Sequence, residues 1–251
     1  MDTLYIVIPA YNEAENITAC VADWYPIVER YGGEGSRLVV IDDGSKDDTY
    51  ALLSDLAESR PQLVPLTKKN GGHGSAVLHG YRYAISHGAD WIFQTDADGQ
   101  TNPSEFEAFW NERSQYDAVI GYRTKRGDGA QRAFVEKVVC LLLRIYFGVK
   151  VPDANAPFRL MRAEAVEKYI VRLPRDFYIP NIMLTAYFAK FEEKLKFLPI
   201  SFKSRVKGKN SLNLGRIVRI GWQAMGDFRR LRKDMKSQSA NESSESKERQ
   251  V

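Results

Sequence analysis

The sequence contains few of the residues that hold small disulfide-bonded or metal-stapled domains together. Only two cysteines, Cys20 and Cys140, occur in 251 residues, which excludes a disulfide framework and a cysteine zinc site. The three histidines all lie between positions 73 and 87 and offer little for a Ser-His-Asp triad. No apolar run approaches the roughly 20 residues of a membrane-spanning helix, and the first residues lack the features of a signal peptide. We therefore expect a cytoplasmic protein that contacts a membrane at most from its cytoplasmic face.

The composition, with 44% hydrophobic and 27% charged residues, is that of a globular protein with one large core. Short β-branched runs alternate with helical periods in the first half, and they predict strands over residues 4–8, 37–41, 63–66, 91–95 and 118–120. Repeated βα units of this spacing predict an α/β fold with a mostly parallel sheet and helices on both faces. We predict a single domain over residues 1–235 and a disordered polar tail over residues 236–251.

Two aspartates one residue apart, Asp96 and Asp98, directly follow the fourth predicted strand, and Gln100 comes next. Carboxylates this close repel each other unless a cation lies between them, and oxygen ligands of this kind suit Mg²⁺ or Mn²⁺. Because Mg²⁺ in proteins often takes further ligands from substrate phosphates, the pattern indicates a metal–diphosphate site. The alternative from the residues alone is that the aspartates cap a helix beginning near Pro103.

The other predicted strands also end in polar, turn-forming residues: Tyr11 to Glu13 after the first, Asp42 and Asp43 after the second, and a glycine loop, 70–74, after the third. Parallel strands share a carboxyl end, where ligands of open α/β sheets bind. Acidic groups gathered there are costly unless they meet a cation and hydrogen-bond donors, which a nucleotide supplies. The alternatives are an Asx turn for the aspartates and a helix entry for the glycine loop.

Four ordered motifs over about 90 residues resemble those of family 2 glycosyltransferases with the GT-A fold; they are IPAYNE (8–13), DDGSKDDT (42–49), NGG (70–72) and DADGQ (96–100). The later half resembles the dolichyl-phosphate mannose synthase branch, whose members make polyprenyl-phosphate sugars. The resemblance covers about residues 3–235. It implies a nucleotide-sugar-binding half over residues 1–121 and an acceptor- and membrane-facing half over residues 122–235.

The resemblance also implies roles for single residues. Pro9, Tyr11, Glu13 and Asp42 would line the pocket for the base and ribose, and Asp43 is counted with them as substrate-binding. Asp96, Asp98 and Gln100 would hold the divalent ion and the donor diphosphate.

Arginines of the second half are candidates for phosphate contacts, because guanidinium groups match phosphate oxygens. Arg123 is predicted to lie directly after the fifth strand, at the start of a mobile loop, and the resemblance favours Arg123 and Arg132 as contacts to acceptor or donor phosphate. Arg205, Gly208 and Ser211 resemble the Arg-x-x-Gly-x-Ser pattern of the synthases, with two residues instead of one between Gly208 and Ser211. The resemblance implies that Arg205 contacts donor phosphate, and Lys209 adds positive charge. The alternative for each is a solvated basic loop.

The segment that begins at Asp153, DANAPFRL, resembles the family's second signature, but Ala156-Pro157 stands where Ser-Gly is common. Asp153 is the candidate base in relatives that glycosylate hydroxyls. The departure leaves the class of acceptor open.

Three further helices and a strand are predicted. Residues 133–149 form the most apolar helix, which lies either in a membrane interface or in a core or dimer contact. Residues 176–189 predict a helix, 197–202 a strand, and 214–232 a basic amphipathic helix suited to an anionic surface. Eleven Lys/Arg and two Asp give residues 201–236 a net charge of +9, so the rest of the chain carries −5 within the total of +4.

We therefore predict a metal-dependent, inverting transfer of a sugar from a GDP- or UDP-linked donor to a polyprenyl (dolichyl-type) phosphate, with Asp98, Arg123, Asp153 and Arg205 as the catalytic set. A polyprenyl phosphate has a second pKa near 6 and attacks as a dianion without a base. The rival is transfer to a hydroxyl, which needs a placed base, Asp153. A distant alternative is a non-catalytic protein that binds nucleic acid or membrane, in which the acidic edge would have no purpose. We expect no nucleic-acid partner, an anionic membrane surface, and a membrane-protein partner or a homo-oligomer.

Overall fold

The structure is a computed structural model, and it describes the backbone of residues 2–126, 130–203, 221–233 and 235. Side chains are described for the same residues except 125–126 and 130–132. The Arg205 and Lys209 motif, residues 214–220, the side chain of Arg132 and the tail predicted over 236–251 therefore lie outside the described residues.

One seven-stranded sheet forms the centre of the molecule, in the order β3-β2-β1-β4-β6-β5-β7. Its strands are β1 (Leu4–Ala10), β2 (Arg37–Asp42), β3 (Leu63–Thr67), β4 (Trp91–Thr95), β5 (Ala118–Arg126), β6 (Phe158–Arg162) and β7 (Leu195–Phe202). Every neighbouring pair is parallel except the two that include β6, which runs antiparallel to β4 and β5. The predicted mostly parallel sheet is confirmed.

Helices cover both faces of this sheet, as predicted. They are α1 (Ile17–Tyr31), α2 (Thr49–Ala57), α3 (His73–Ser86), α4 (Phe106–Glu112), α5 (Ala130–Phe147), α6 (Ala163–Ile170), α7 (Pro180–Lys190) and α8 (221–233). Successive side chains of a strand point to opposite faces. In β1, Leu4 and Ile6 therefore join the core beneath α1 and α4, whereas Tyr5 and Val7 join the core beneath α3, α6 and α7. In the described part of the chain, no helix is long and apolar enough to cross a membrane.

Strand β5 is longer than predicted. It continues through Arg126 and pairs with β7 along its length, with an irregularity between Arg123 and Lys125. The prediction that Arg123 begins a mobile loop is therefore wrong. Pairing with a strand more than 70 residues later extends β5, and that pairing leaves no local signal in the sequence.

Two other segments differ from the predictions. The helix predicted over 176–189 begins only at Pro180, because proline is favoured in the first turn of a helix. Strand β6 and helix α6 were not predicted. The strand carries two arginines in five residues, a pattern that does not indicate a buried strand.

Candidate active site

The loops that follow β1 and β2 are locked together at the carboxyl edge of the sheet. Asn12 has a left-handed backbone with φ of 53°, a conformation that asparagine tolerates well. Its backbone N–H donates to Ser45 Oγ at 2.9 Å, and its Oδ1 accepts from the Lys46 backbone N–H at 2.8 Å. The backbone N–H of Asp43 donates to Ala10 O at 2.8 Å. The two loops therefore form one wall.

Asp42 and Asp43 are each only 2% exposed and are fully engaged with the protein. Asp42 accepts from the Ser45 backbone N–H at 3.1 Å and from Thr67 Oγ1 at 2.8 Å. Asp43 accepts from Lys68 Nζ at 2.6 Å and from the backbone N–H groups of residues 71 and 72, at 3.0 and 2.7 Å. These carboxylates hold the glycine loop against the β2 loop, and their contact with a nucleotide stays a prediction.

The other predicted pocket residues differ in exposure. Pro9 is buried within β1, whereas the Tyr11 ring is 43% exposed at the edge of the sheet. Glu13 is 9% exposed; its Oε2 accepts from Asn16 Nδ2 at 2.6 Å. Among these three residues, Tyr11 presents the most surface for stacking on a base.

The acidic turn lies at the end of β4, where both Asp96 and Asp98 are half-buried. Asp96 Oδ1 accepts from Gln94 Nε2 at 3.1 Å, and Asp98 Oδ1 accepts from the Gln100 backbone N–H at 3.2 Å. Gly99 supplies a φ of +70° that the turn requires. The interpretation of the aspartates as a helix cap is wrong, because Asn102 Oδ1 accepts from the Ser104 backbone N–H and begins the helical turn.

Gln100 fastens this turn to the end of β7. The side chain is 3% exposed, and its Nε2 donates to Lys203 O at 2.7 Å, while the Lys203 backbone N–H donates to Gln100 O at 2.9 Å. Its amide nitrogen therefore has a structural partner, and a contact between Gln100 and a metal stays a prediction.

The donor atoms at the turn fit a divalent cation. Two half-buried carboxylates are the hard oxygen ligands that Mg²⁺ and Mn²⁺ prefer. His73, the first residue of α3, adds a nitrogen, with its Nε2 3.9 Å from Asp96 Oδ1. Within the described residues no set of three or more His, Cys, Asp or Glu is arranged to hold a metal. An ion bound by the aspartates would therefore be completed by other ligands, as Mg²⁺ is by substrate phosphates.

His73 was not assigned to the site from the sequence. The available signal was its place within the glycine loop, 70–74, at the edge of the sheet where the aspartates were expected. A single histidine in such a loop has no spacing pattern that would mark it as a ligand.

A second charged cluster joins β5, α5 and the segment before β6, and we call Arg123, Glu136 and Asp153 the buried triad. Arg123 Nε and Nη2 donate to the two oxygens of Asp153 at 2.8 and 2.9 Å, and Nη2 also donates to Glu136 Oε2 at 3.2 Å. The three side chains are only 6%, 12% and 4% exposed, in chain order. Glu136 Oε1 accepts from the Ala154 backbone N–H at 2.8 Å.

The triad sets the protonation of its two acids in opposite directions. Burial alone would raise the pKa of Asp153, but the hydrogen bonds and charge of Arg123 outweigh it and hold that pKa below its ordinary value. Burial, reinforced by the charge of Asp153, raises the pKa of Glu136 above its ordinary value. The sequence predicted separate roles for these residues, Arg123 as a phosphate contact and Asp153 as a base for a hydroxyl acceptor. In the structure they form an ion pair with each other.

This chain belongs to glycosyl transferase family 2, whose family model matches residues 5–170. The fold is the GT-A fold of solved relatives. Glucosyl-3-phosphoglycerate synthase from Mycobacterium tuberculosis, crystallised with Mn²⁺, UDP-glucose and glycerol 3-phosphate, superimposes with a TM-score of 0.62 over 87% of this chain and 76% of that one. The sequences are 20% identical, so the likeness concerns the fold alone.

Two curated relatives with higher identity have names that mention a polyprenyl phosphate or a phosphorylated polyprenol. Undecaprenyl-phosphate 4-deoxy-4-formamido-L-arabinose transferase of Pectobacterium atrosepticum is 28% identical over 72% of this chain and 55% of its own length. Polyprenol monophosphomannose synthase of Mycolicibacterium smegmatis is 30% identical over 65% of this chain and 63% of its own length. The chain thus matches a little over half of the length of these two relatives.

Proposed function

We propose that this protein transfers a sugar from a nucleotide sugar to a polyprenyl phosphate, in a metal-dependent reaction that inverts the anomeric carbon. The observation that carries the proposal is the pair of half-buried carboxylates, Asp96 and Asp98, at the carboxyl end of β4 in a chain of this family. The names of the two curated relatives support the choice of acceptor.

Asp96 and Asp98 would hold Mg²⁺ or Mn²⁺, which neutralises the negative charge that develops on the leaving nucleoside diphosphate. Tyr11 offers an exposed ring to the base, next to the wall formed by the β1 and β2 loops. The acceptor phosphate is a dianion at neutral pH, because its second pKa is near 6, and it needs no protein base. Attack from the face opposite the diphosphate gives inversion.

The rival, transfer to a hydroxyl with Asp153 as base, has less support in the geometry. Asp153 is 3% exposed, both its oxygens accept from Arg123, and its pKa lies below the ordinary value. A general base works best with a pKa near the operating pH and within reach of the proton it removes. A buried, paired carboxylate of lowered pKa meets neither condition.

The direct experiment combines purified protein with undecaprenyl or dolichyl phosphate, Mn²⁺ or Mg²⁺, and a panel of UDP- and GDP-sugars. Formation of a lipid-linked sugar that requires the metal is the expected result, and Asp98→Asn should abolish it. A thermal-shift screen of UDP and GDP with each metal identifies the base. If no sugar of the panel reaches the lipid phosphate while simple hydroxyl acceptors are glycosylated, the rival is correct.

We place the protein peripherally on the cytoplasmic face of a membrane in this proposal, and an exposed apolar stripe on α5 supports the contact with a membrane. Phe134, Val138, Leu141 and Ile145 follow a helical spacing and are 69%, 37%, 55% and 60% exposed. A helix with such a face and basic residues beside it suits the interface of a bilayer. A lipid acceptor would reach the enzyme at this stripe. The alternative is a dimer contact through the same stripe, and a vesicle-binding measurement distinguishes the two.

A further inference from the structure

A row of buried polar side chains lies behind the acidic turn and ends on Asp96. Gln94, in β4, is fully buried; its Nε2 donates to Asp96 Oδ1 at 3.1 Å, and its Oε1 accepts from Asn181 Nδ2 at 2.9 Å. Asn181 lies in the first turn of α7 and is 2% exposed. Two amides from opposite halves of the chain therefore stand in line behind one carboxylate of the site.

The row continues to a buried cation. Asn181 Oδ1 accepts from the Tyr81 hydroxyl at 3.1 Å, and Asn181 O accepts from Arg159 Nη1 at 3.1 Å. Arg159 is fully buried, and its Nη2 also donates to Thr185 Oγ1 at 2.9 Å. A fully buried arginine costs folding free energy unless such partners surround it.

The three hydrogen bonds that join Tyr81, Asn181, Gln94 and Asp96 all donate toward Asp96. The ionised carboxylate of Asp96 can only accept, so Gln94 turns its NH₂ group to Asp96 and its Oε1 to Asn181. Asn181 must then turn its own NH₂ group to Gln94, which leaves its Oδ1 to accept from the Tyr81 hydroxyl. Reversing either amide would set two donors or two acceptors against each other, so the row delivers a donor to Asp96 and holds that carboxylate in one orientation.

We propose that Gln94 and Asn181 are positioning residues for the metal ligand Asp96. The inference rests on the proposed function, since it assumes that Asp96 binds the metal. Partners behind a ligating group typically contribute about 10–100-fold to metal affinity, because they fix the orientation of the ligand. Asn181 belongs to α7, so the orientation of a metal ligand in the first half depends on a helix of the second half.

The sharpest variant is Asn181→Asp, which exchanges one NH₂ group for an oxygen of the same size. It keeps an acceptor for Tyr81 and the backbone contact to Arg159, removes the donation to Gln94, and adds a negative charge at a buried position. Gln94→Met removes the contact to Asp96 at nearly constant volume. Tyr81→Phe is a milder third variant, because it removes the donor to Asn181 Oδ1 and leaves the contacts of Gln94 in place.

The matched control is Ser36→Ala. Ser36 is fully buried, and its Oγ accepts from the Leu4 backbone N–H at 2.8 Å, at the amino end of β1 and thus at the opposite edge of the sheet. It breaks a buried hydrogen bond without touching the row. Binding of Mn²⁺ is measured from the electron paramagnetic resonance signal of free Mn²⁺, and stability from urea unfolding of the same samples.

We expect Asn181→Asp and Gln94→Met to weaken Mn²⁺ binding about tenfold or more, and Tyr81→Phe to weaken it less. Ser36→Ala should bind Mn²⁺ like the wild type even where its stability falls as much. The double variant Gln94→Met/Asn181→Asp should bind no more weakly than Gln94→Met alone, because Asn181 acts through Gln94.

Three outcomes separate the inference from the proposed function. A wild type that binds no Mn²⁺, with or without UDP or GDP, overturns the metal-dependent function and the inference with it. If the wild type binds Mn²⁺ and all three row variants bind it with the same affinity, the inference is overturned and the transferase proposal is unaffected. Equal weakening by Ser36→Ala also overturns the inference, because the effect would then follow from general loss of stability.

Discussion

Replacing Arg123 by methionine tests whether this arginine is part of the buried triad or a contact to substrate phosphate. The change removes three hydrogen bonds of 2.8, 2.9 and 3.2 Å and leaves the carboxylates of Asp153 and Glu136 buried without their cation. Removing one partner of a buried ion pair typically costs about 3–5 kcal/mol. For a domain of this size each kcal/mol lowers the melting temperature by about 2–4 °C, so we expect a loss of about 6–20 °C.

The loss should depend on pH in a defined direction. Without the guanidinium, the pKa of both acids rises, so the folded variant binds protons more tightly than the folded wild type does. The difference in unfolding free energy between wild type and Arg123→Met should therefore be larger near pH 8 than near about pH 5. Urea unfolding followed by tryptophan fluorescence at both pH values measures it.

Arg30→Met is the matched control, because Arg30 pairs with Glu107 at 3.7 Å across side chains that are 69% and 55% exposed. An exposed pair of this kind is worth about 0–1 kcal/mol, so this variant should unfold almost as the wild type does. If Arg123→Met loses less than about 1 kcal/mol while affinity for a nucleoside diphosphate drops, the guanidinium lies in the substrate pocket. The resemblance would then describe Arg123 correctly, and the buried triad would be wrong.

Three further changes have defined outcomes. The pKa of Glu136 is raised in the folded state, so its contribution to stability is present below the unfolded pKa and is lost as pH rises through the folded pKa. Glu136→Gln should therefore reduce the loss of unfolding free energy between about pH 4 and 8, as measured by urea unfolding. Leu141→Ser on the exposed stripe should reduce co-sedimentation with anionic vesicles about tenfold, since burying a leucine is worth about 1.5–3 kcal/mol. The control Val171→Ser should not reduce it, because Val171 is exposed directly after α6 and lies outside the stripe. Gly74→Ala should lower the free energy of unfolding by about 1–3 kcal/mol, because the added Cβ would lie 2.4 Å from the Phe177 backbone oxygen. Gly226→Ala, whose Cβ would meet no described atom of another element within 4 Å, should raise it by about 0.5–1 kcal/mol, and thermal unfolding measures both.

The first four strands could be predicted because their signal is local. Each is a short β-branched run that ends in turn residues, and β4 occupies Trp91–Thr95 as predicted. Once the strands are parallel, their polar ends must share one edge, which brings the acidic turn, the glycine loop and the β1 loop together. The metal–diphosphate interpretation rested on that spacing together with the resemblance to family 2 glycosyltransferases, and it stays a prediction.

Strand β6 shows what local pattern does not contain. It pairs with β4 and β5 in the middle of the sheet. Its sequence, FRLMR, nevertheless places an arginine on each side of Leu160 and Met161. Arg159 is tolerated there because Ala154, just before the strand, and Asn181 and Thr185, more than 20 residues later, supply oxygens to its guanidinium. A buried cation is predictable only when its partners are known, and those belong to the tertiary structure.

The same reasoning limits how roles are read from residue type. An arginine after a strand suggests a phosphate contact and an aspartate in a signature suggests a base, but Arg123 and Asp153 neutralise each other when the fold pairs them. In the proposed reaction, positive charge for the acceptor phosphate would then come from elsewhere in the second half, where residues 201–236 carry a net charge of +9. Lys203, which directly precedes residues 204–211, is bound to Gln100 through two hydrogen bonds. The basic segment therefore begins at the acidic turn, where a diphosphate and a lipid phosphate would need a cation between them.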